Sequence, residues 1–366
     1  MIRSRIITAL LLQLFILFGP TVRSENTSLK VIGYYAGNTV PFDSIDFSSL
    51  THVIYCFGTL CGDDFCLRSQ EDTIAIRQLV ELKSRHPKLK VMLSLGGWGG
   101  CATCSDVFSS EKGRGAFAES VKQVTRYFGV DGLDLDWEYP VVKGFPGHKR
   151  SMQDKYNFTA LLESIRKVNG DDFILSFAAG GYTDFIDSAI AWKEVCPLVD
   201  FINVMSYDLV HGYSTVSGHH TPLYSTTSQL ESTSNAVTLL TSRGVPAEKI
   251  IIGAAFYARV FKTKDGYPVE LYQPCVFDHT FKYSRSEEVL APESGYQLRF
   301  DSTAFAPYAV NESDRLLATF DNPVSITEKT RYAIRNHLGG IMFWQLCDDK
   351  PQSGLLEVIR RTLYRD

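Results

Sequence analysis

The stretch Asp131-Gly132-Leu133-Asp134-Leu135-Asp136-Trp137-Glu138-Tyr139-Pro140 decides how the rest of the chain is organised. Successive side chains of a β-strand alternate faces, so Asp134, Asp136 and Glu138 would line one side while Leu133, Leu135 and Trp137 line the other. Neighbours in that acidic row stand roughly 6 to 7 Å apart, close enough that three simultaneous negative charges repel and at least one proton is retained. A carboxylic acid that keeps its proton near neutral pH is what general acid catalysis requires. An acidic edge strand or a surface metal loop is the competing reading. Apolar and aromatic residues between the carboxylates argue against a solvated edge, and calcium loops favour Gly, Asn and a turn over Leu-Asp-Leu-Asp-Trp, so no metal is expected.

Upstream of this row, residues 89–95 form an apolar strand that runs into Gly96-Gly97-Trp98-Gly99-Gly100, where glycines let the backbone approach a ligand closely. A helix over about 115–128 joins the two. Residues 31–35 and 51–57 are earlier apolar strands, and 73–85 carries apolar residues at helical spacing before Pro87. Downstream come a helix at 156–168 and strands at 173–178, 201–205, 250–256 and 339–344. Eight apolar strands alternating with amphipathic helices imply parallel β-α units covered on both faces, and eight such strands close on themselves. The fold class is therefore α/β, a (β/α)8 TIM barrel. An open doubly wound sheet is the alternative, but no Gly-x-Gly-x-x-Gly loop follows the first strand. Catalytic groups of such barrels sit at the C-terminal strand ends, and Glu138, Tyr207, Tyr257 and Trp344 all lie at or just beyond one.

The interval between the seventh strand and a helix near Ile326 is too long for a βα connection. Its segments 281–283, 296–300 and 316–320 are strand-like, which places a small α+β insertion at 261–315. The barrel then occupies 25–260 and ends in 316–366. No internal repeat or low-complexity tract interrupts it.

Residues 1–24 have the form of a secretory signal: Arg3 and Arg5, an apolar run from Ile6 to Phe18, and a cleavage site near Ser24. That run is shorter than the roughly 20 residues a membrane anchor needs, so a secreted, extracellular protein with no membrane partner is expected. The 37 basic and 41 acidic residues give a net charge of −4, and loss of Arg3, Arg5 and Arg23 with the leader makes it more negative, which argues against nucleic acid. Eight cysteines in a secreted chain should mostly pair. Bridges within Cys61/Cys66 and Cys101/Cys104, or between these loops, are both open; zinc at Cys101-x-x-Cys104 lacks accompanying histidines, and Cys56 and Cys196 suit buried thiols. Sequons at Asn26, Asn157 and Asn311 fit a glycosylated surface in a eukaryotic host.

Ser94-Leu95-Gly96-Gly97-Trp98 and the acidic row resemble the two signatures of the family 18 glycoside hydrolases, the chitinases. Met205-Ser206-Tyr207-Asp208 and Gly340-Ile341-Met342-Phe343-Trp344 resemble two further family segments, in order over nearly the whole chain. This resemblance implies retaining hydrolysis in which the substrate's own N-acetyl oxygen attacks the anomeric carbon, so that one protein acid suffices. It implies Glu138 as that acid and base, Asp136 as the group orienting the acetamido N–H, Asp134 behind it sharing charge or a proton, and Tyr207 bonded to the acetyl carbonyl with Asp208 in support. Asp131 would serve the strand entry. Trp344 would floor the sugar site, Gly97, Trp98 and Tyr139 would wall it, Met205 would line it, and Tyr257 and Arg259 would contact a neighbouring sugar. For each aromatic, core packing is the plainer reading. Gly99 stands where many members have Asn and Tyr213 where many have Trp, which touches affinity rather than the acid. The implied partner is chitin or another N-acetylglucosamine polymer, bound by a monomer without a cofactor. A chitinase-like lectin, or the same chemistry on N-glycans or peptidoglycan, are the alternatives.

Overall fold

The computed structural model describes residues 29–37 and 44–365; the expected leader and the Asn26 sequon lie outside them. Its strands, in chain order, are β1 (Lys30–Ala36), β2 (His52–Cys61), β3 (Asp64–Cys66), β4 (Lys90–Gly96), β5 (Gly132–Asp136), β6 (Ile174–Gly180), β7 (Phe201–Met205), β8 (Ile250–Ala255), β9 (Tyr257–Thr263), β10 (Cys275–Lys282), β11 (Gln297–Asp301), β12 (Ala306–Asn311), β13 (Leu316–Thr319) and β14 (Gly340–Trp344). The order β1-β14-β8-β7-β6-β5-β4-β2 is all parallel and closes because β1 also pairs with β2. This is the (β/α)8 barrel read from the sequence. Strand β3 is a short antiparallel return on β2.

Side-chain alternation divides the core in two. Leu133, Leu135 and Trp137 point outward and pack with helix residues such as Phe117, Val121, Phe158 and Leu161 in one large cluster. Inward-facing Ile32, Tyr34, Ile54, Met92, Phe201, Ile251 and Met342 fill the barrel itself. Fully burying each Leu, Ile or Phe contributes about 1.5–3 kcal/mol.

The helix expected from 115 starts earlier, at Glu111–Phe128, because the Ser110 hydroxyl caps it by accepting from the Gly113 N–H. It stops at Gly129, whose φ of 73° is left-handed backbone that glycine adopts at little cost. A capping box between Ser69 and Asp72 likewise starts Gln70–Glu81 ahead of the apolar pattern.

The second sheet is antiparallel, in the order β10-β9-β13-β12-β11. It runs from Tyr257 to Thr319, wider than 261–315, because β9 continues directly from the end of β8 and pairs with β13 through Arg259 opposite Thr319 and Lys262 opposite Leu316. Strand β12, which contains Pro307, did not stand out in the sequence.

Bridges form within each cysteine loop, Cys61 to Cys66 and Cys101 to Cys104. The expectation that most cysteines pair is corrected: Cys56, Cys196, Cys275 and Cys347 are buried outside these bridges. Two of the sequons also behave differently from surface acceptors. Asn157 is buried with its amide 3.4 Å from Asp154, and Asn311 is buried with its amide donating to Ser294 O and Asp314 at 3.0 and 2.9 Å.

Candidate active site

The carboxyl row sits at the C-terminal end of the barrel, with each member in a different setting. Asp134 is fully buried and accepts four hydrogen bonds, from Tyr34 Oη on β1 (3.1 Å), Ser94 Oγ on β4 (3.0 Å), Ser176 Oγ on β6 (2.6 Å) and Asn203 Nδ2 on β7 (3.1 Å). Parallel pairing produces this convergence, since Ser94 and Ser176 are the register partners of Asp134 on either side. Burial pushes the Asp134 carboxyl up and the four donors only partly offset it.

Asp136, the last residue of β5, is buried with one carboxyl oxygen lacking a hydrogen-bond partner among the described residues. Burial first, then the charges of Glu138 and Asp134, raise its pKa well above the ordinary range. Glu138 lies two residues past the strand yet remains buried, and burial together with the charge on Asp208 pushes it up to about 7 against a hydrogen bond from Tyr139. The Asp136–Glu138 pair therefore keeps at least one proton at neutral pH. Asp131 belongs to the opposite end, paired with Lys83 at 2.9 Å and accepting from the Val91 N–H.

Tyr207 follows β7 by two residues, as Glu138 follows β5. Its buried hydroxyl lies 3.8 Å from Met342 Sδ, and its ring meets Tyr257 edge-on at 6.2 Å. Burial and the charges of Asp136, Asp208 and Glu138 keep the phenol protonated, hence a donor. The next residue, Asp208, has a left-handed φ of 56° that turns its carboxylate away toward the second sheet. There it accepts from Tyr257 Oη at 2.7 Å and from Arg259 through both Nε and Nη2, with His220 Nδ1 at 3.4 Å. Burial alone would raise this carboxyl, but the Arg259 and His220 contacts outweigh it and hold Asp208 well below the usual range.

Trp344, ending β14, stacks on Phe57 (5.6 Å between centroids, 16°) and leans on Tyr34 at 5.9 Å. Met205 and Tyr257 pack with it against the inner cluster. Gly97 has φ 75°, and a Cβ there would stand 2.4 Å from the Phe57 ring, so this glycine leaves room for the platform under Trp344. Trp98 is 49% exposed beside Phe145 and Tyr213, an aromatic rim. Tyr139 stands apart from the other walls: its ring packs on Tyr182 and Phe185 outside the barrel.

Sequence reasoning missed Phe57, Ser176, Asn203, Tyr34 and His220. Ser94 and Ser176, lone hydroxyls at inward positions of apolar strands, carried a detectable signal. Tyr34 and Phe57 carried none, because aromatic residues in strands usually mean core.

A closed barrel with buried, proton-retaining carboxyls at its C-terminal mouth is an arrangement that glycoside hydrolases use. The chain belongs to the glycosyl hydrolases family 18, whose sequence profile matches residues 30–349. Chitinase A1 of Niallia circulans is 27% identical over 91% of this chain and 58% of its own length. Oviduct-specific glycoprotein of Mus musculus is 28% identical over 88% of this chain and 47% of its own, so the chain spans about half the length of these relatives. Among solved structures, the family 18 N-acetylglucosaminidase from Paenibacillus barengoltzii superposes with a TM-score of 0.82 at 31% identity, covering 91% of this chain and 99% of that one.

Proposed function

We propose that the protein is a secreted chitinase that hydrolyses β-1,4-linked N-acetylglucosamine chains with retention, by substrate-assisted catalysis. The observation that carries this reading is Glu138, a buried acid pushed up to about 7 beside Asp136, one oxygen of which has no hydrogen-bond partner among the described residues, with the neutral phenol of Tyr207 within electrostatic reach of both carboxyls. Glu138 gives its proton to the glycosidic oxygen as the bond from that oxygen to the anomeric carbon breaks. The substrate's acetamido oxygen attacks the same carbon, forming an oxazolinium ring. Asp136 accepts from the acetamido N–H and its charge offsets that of the ring. Tyr207 donates to the acetyl oxygen and holds it in line for attack. Glu138, now a carboxylate, takes a proton from water, which opens the ring from the face the leaving group left.

Two neighbouring carboxyls are already engaged, Asp134 by four donors and Asp208 by Arg259 and Tyr257, which leaves Asp136 to meet the acetamido group. The site thus suits a substrate that brings its own nucleophile.

Purified protein should release N-acetylglucosamine oligomers from chitooligosaccharides, and Glu138→Gln should lower turnover by at least the ~10² to 10⁴ that general acid-base help contributes. Mass spectrometry of products from chitin, glycoprotein and cell-wall substrates tests the choice of polymer. Tight oligosaccharide binding by a folded wild type that yields no product would replace the hydrolase by a lectin.

A further inference from the structure

Behind the catalytic mouth lies a buried ion pair that the chemistry above does not use. Asp321 and Lys329 both have fully buried side chains and meet at 2.7 Å. Lys329 sits on the helix Pro323–Arg335, which follows the second sheet, and Asp321 lies just before that helix. Taking two charges out of water is costly, and such pairs are no reliable source of stability, so one placed here calls for another account.

The partners of Asp321 supply it. Its Oδ2 accepts from Lys329 Nζ, from the Ala255 N–H at 3.0 Å and from the Thr221 hydroxyl at 3.0 Å, while Oδ1 accepts from Ser325 Oγ at 2.7 Å. Ala255 is the last residue of β8, two before Tyr257. Thr221 Oγ1 also lies 2.5 Å from Lys329 Nζ and 3.4 Å from the carbonyl of Ser206, the residue preceding Tyr207. Thr221 directly follows His220, which touches Asp208, and the His220 N–H donates to Thr319 Oγ1 on β13 at 3.1 Å. Ser206 is locked from its other side, with Oγ bonded to both the N–H and the carbonyl of Gly253 at 3.0 Å.

One carboxylate therefore ties the end of β8, the loop after β7 and the helix after the second sheet. Tyr207 and Tyr257, whose rings meet edge-on, leave from two of those segments. We infer that the buried Asp321–Lys329 pair, acting through Thr221, is a positioning device that sets Tyr207 and Tyr257 against the acetamido group. A carboxylate suits the task because its two oxygens accept from four donors, Lys329, Ala255, Thr221 and Ser325. The catalytic part of this inference rests on the proposed function; the mechanical part does not.

The test compares Thr221→Val, which removes the hydroxyl without touching a charge, Thr221→Ser, which restores it, and the double variant Asp321→Asn/Lys329→Met, which leaves no unpaired buried charge. Misplacement of a reacting group by about 1 Å can cost 10²-fold, so kcat on chitooligosaccharides should fall about 10- to 100-fold in Thr221→Val and in the double variant, and return in Thr221→Ser. Hydrogen exchange in the substrate-free protein should rise in peptides covering 204–222 and 253–260, with the opposite end of the barrel unchanged. Asp200→Ala, which removes the acceptor for Arg166 and the Leu175 N–H at that opposite end, should lower the melting temperature with kcat unchanged. A double variant that loses melting temperature while keeping wild-type kcat and local exchange overturns the inference. Inactive wild type would instead refute the proposed function, and the exchange measurement would still decide whether the pair holds these two segments.

Discussion

Replacing Glu138 by Gln should stabilise the protein, and only above acidic pH. Glu138 titrates near 7 in the folded chain, against an ordinary 4.5, because burial and the Asp208 charge disfavour its ionised form. The difference of about 2.5 units corresponds to roughly 3 kcal/mol at 1.36 kcal/mol per unit. Its sign follows from linkage: the folded state holds this proton more tightly than the unfolded chain. The side chain therefore adds no penalty below pH 4.5, becomes progressively destabilising between 4.5 and 7, and costs the full amount above. Glutamine keeps the shape without the charge. Unfolding free energies from urea titrations of wild type and Glu138→Gln, at pH 4.5 and again at pH 8, read the effect together with that of Asp136, whose carboxyl the Glu138 charge also pushes up. Near-equality at pH 4.5 and an advantage of up to about 3 kcal/mol for the variant at pH 8 are expected. If the variant is no more stable than wild type at pH 8, the environment does not hold the proton on Glu138, and its assignment as general acid falls with that result.

Other outcomes are open to direct measurement. Because the Asp208 charge helps keep Glu138 protonated, Asp208→Asn should move the basic limb of the kcat/KM profile to lower pH, and an unmoved limb would leave burial as the whole cause. A methyl group at Gly97 would meet the Phe57 ring at 2.4 Å in a left-handed conformation, so Gly97→Ala should displace the platform under Trp344 and raise KM several-fold in steady-state assays. In material expressed in a eukaryotic host, peptide mass spectrometry should find Asn157 and Asn311 without glycans, because both amides are buried and engaged in the folded chain.

Much of this was legible along the chain. The two-residue period of Asp134, Asp136 and Glu138 against Leu133, Leu135 and Trp137 is a local pattern, and strand geometry alone converts it into a row of carboxyls on one face. Eight apolar strands with intervening helices specify a closed barrel for the same local reason. Helix starts at Glu111 and Gln70 were misplaced because Ser110 and Ser69 cap them with side-chain hydrogen bonds ahead of the apolar pattern.

Tertiary structure decided how the row divides its labour. Tyr34, Ser94, Ser176 and Asn203 lie 40 to 100 residues from Asp134, and only barrel closure brings their donors onto one carboxylate, while one oxygen of Asp136 has no partner among the described residues. Asp208 follows Tyr207 in sequence, yet its left-handed backbone sends it to Arg259 and the second sheet. The Asp321–Lys329 pair is spaced by 8 residues, but nothing in that spacing announces that it grips Ala255 and Thr221, 66 and 100 residues away. Periodicity records which face a residue takes on its own strand or helix. Which strands then become neighbours is set by closure of the sheet, and the proton inventory of the site follows from that closure.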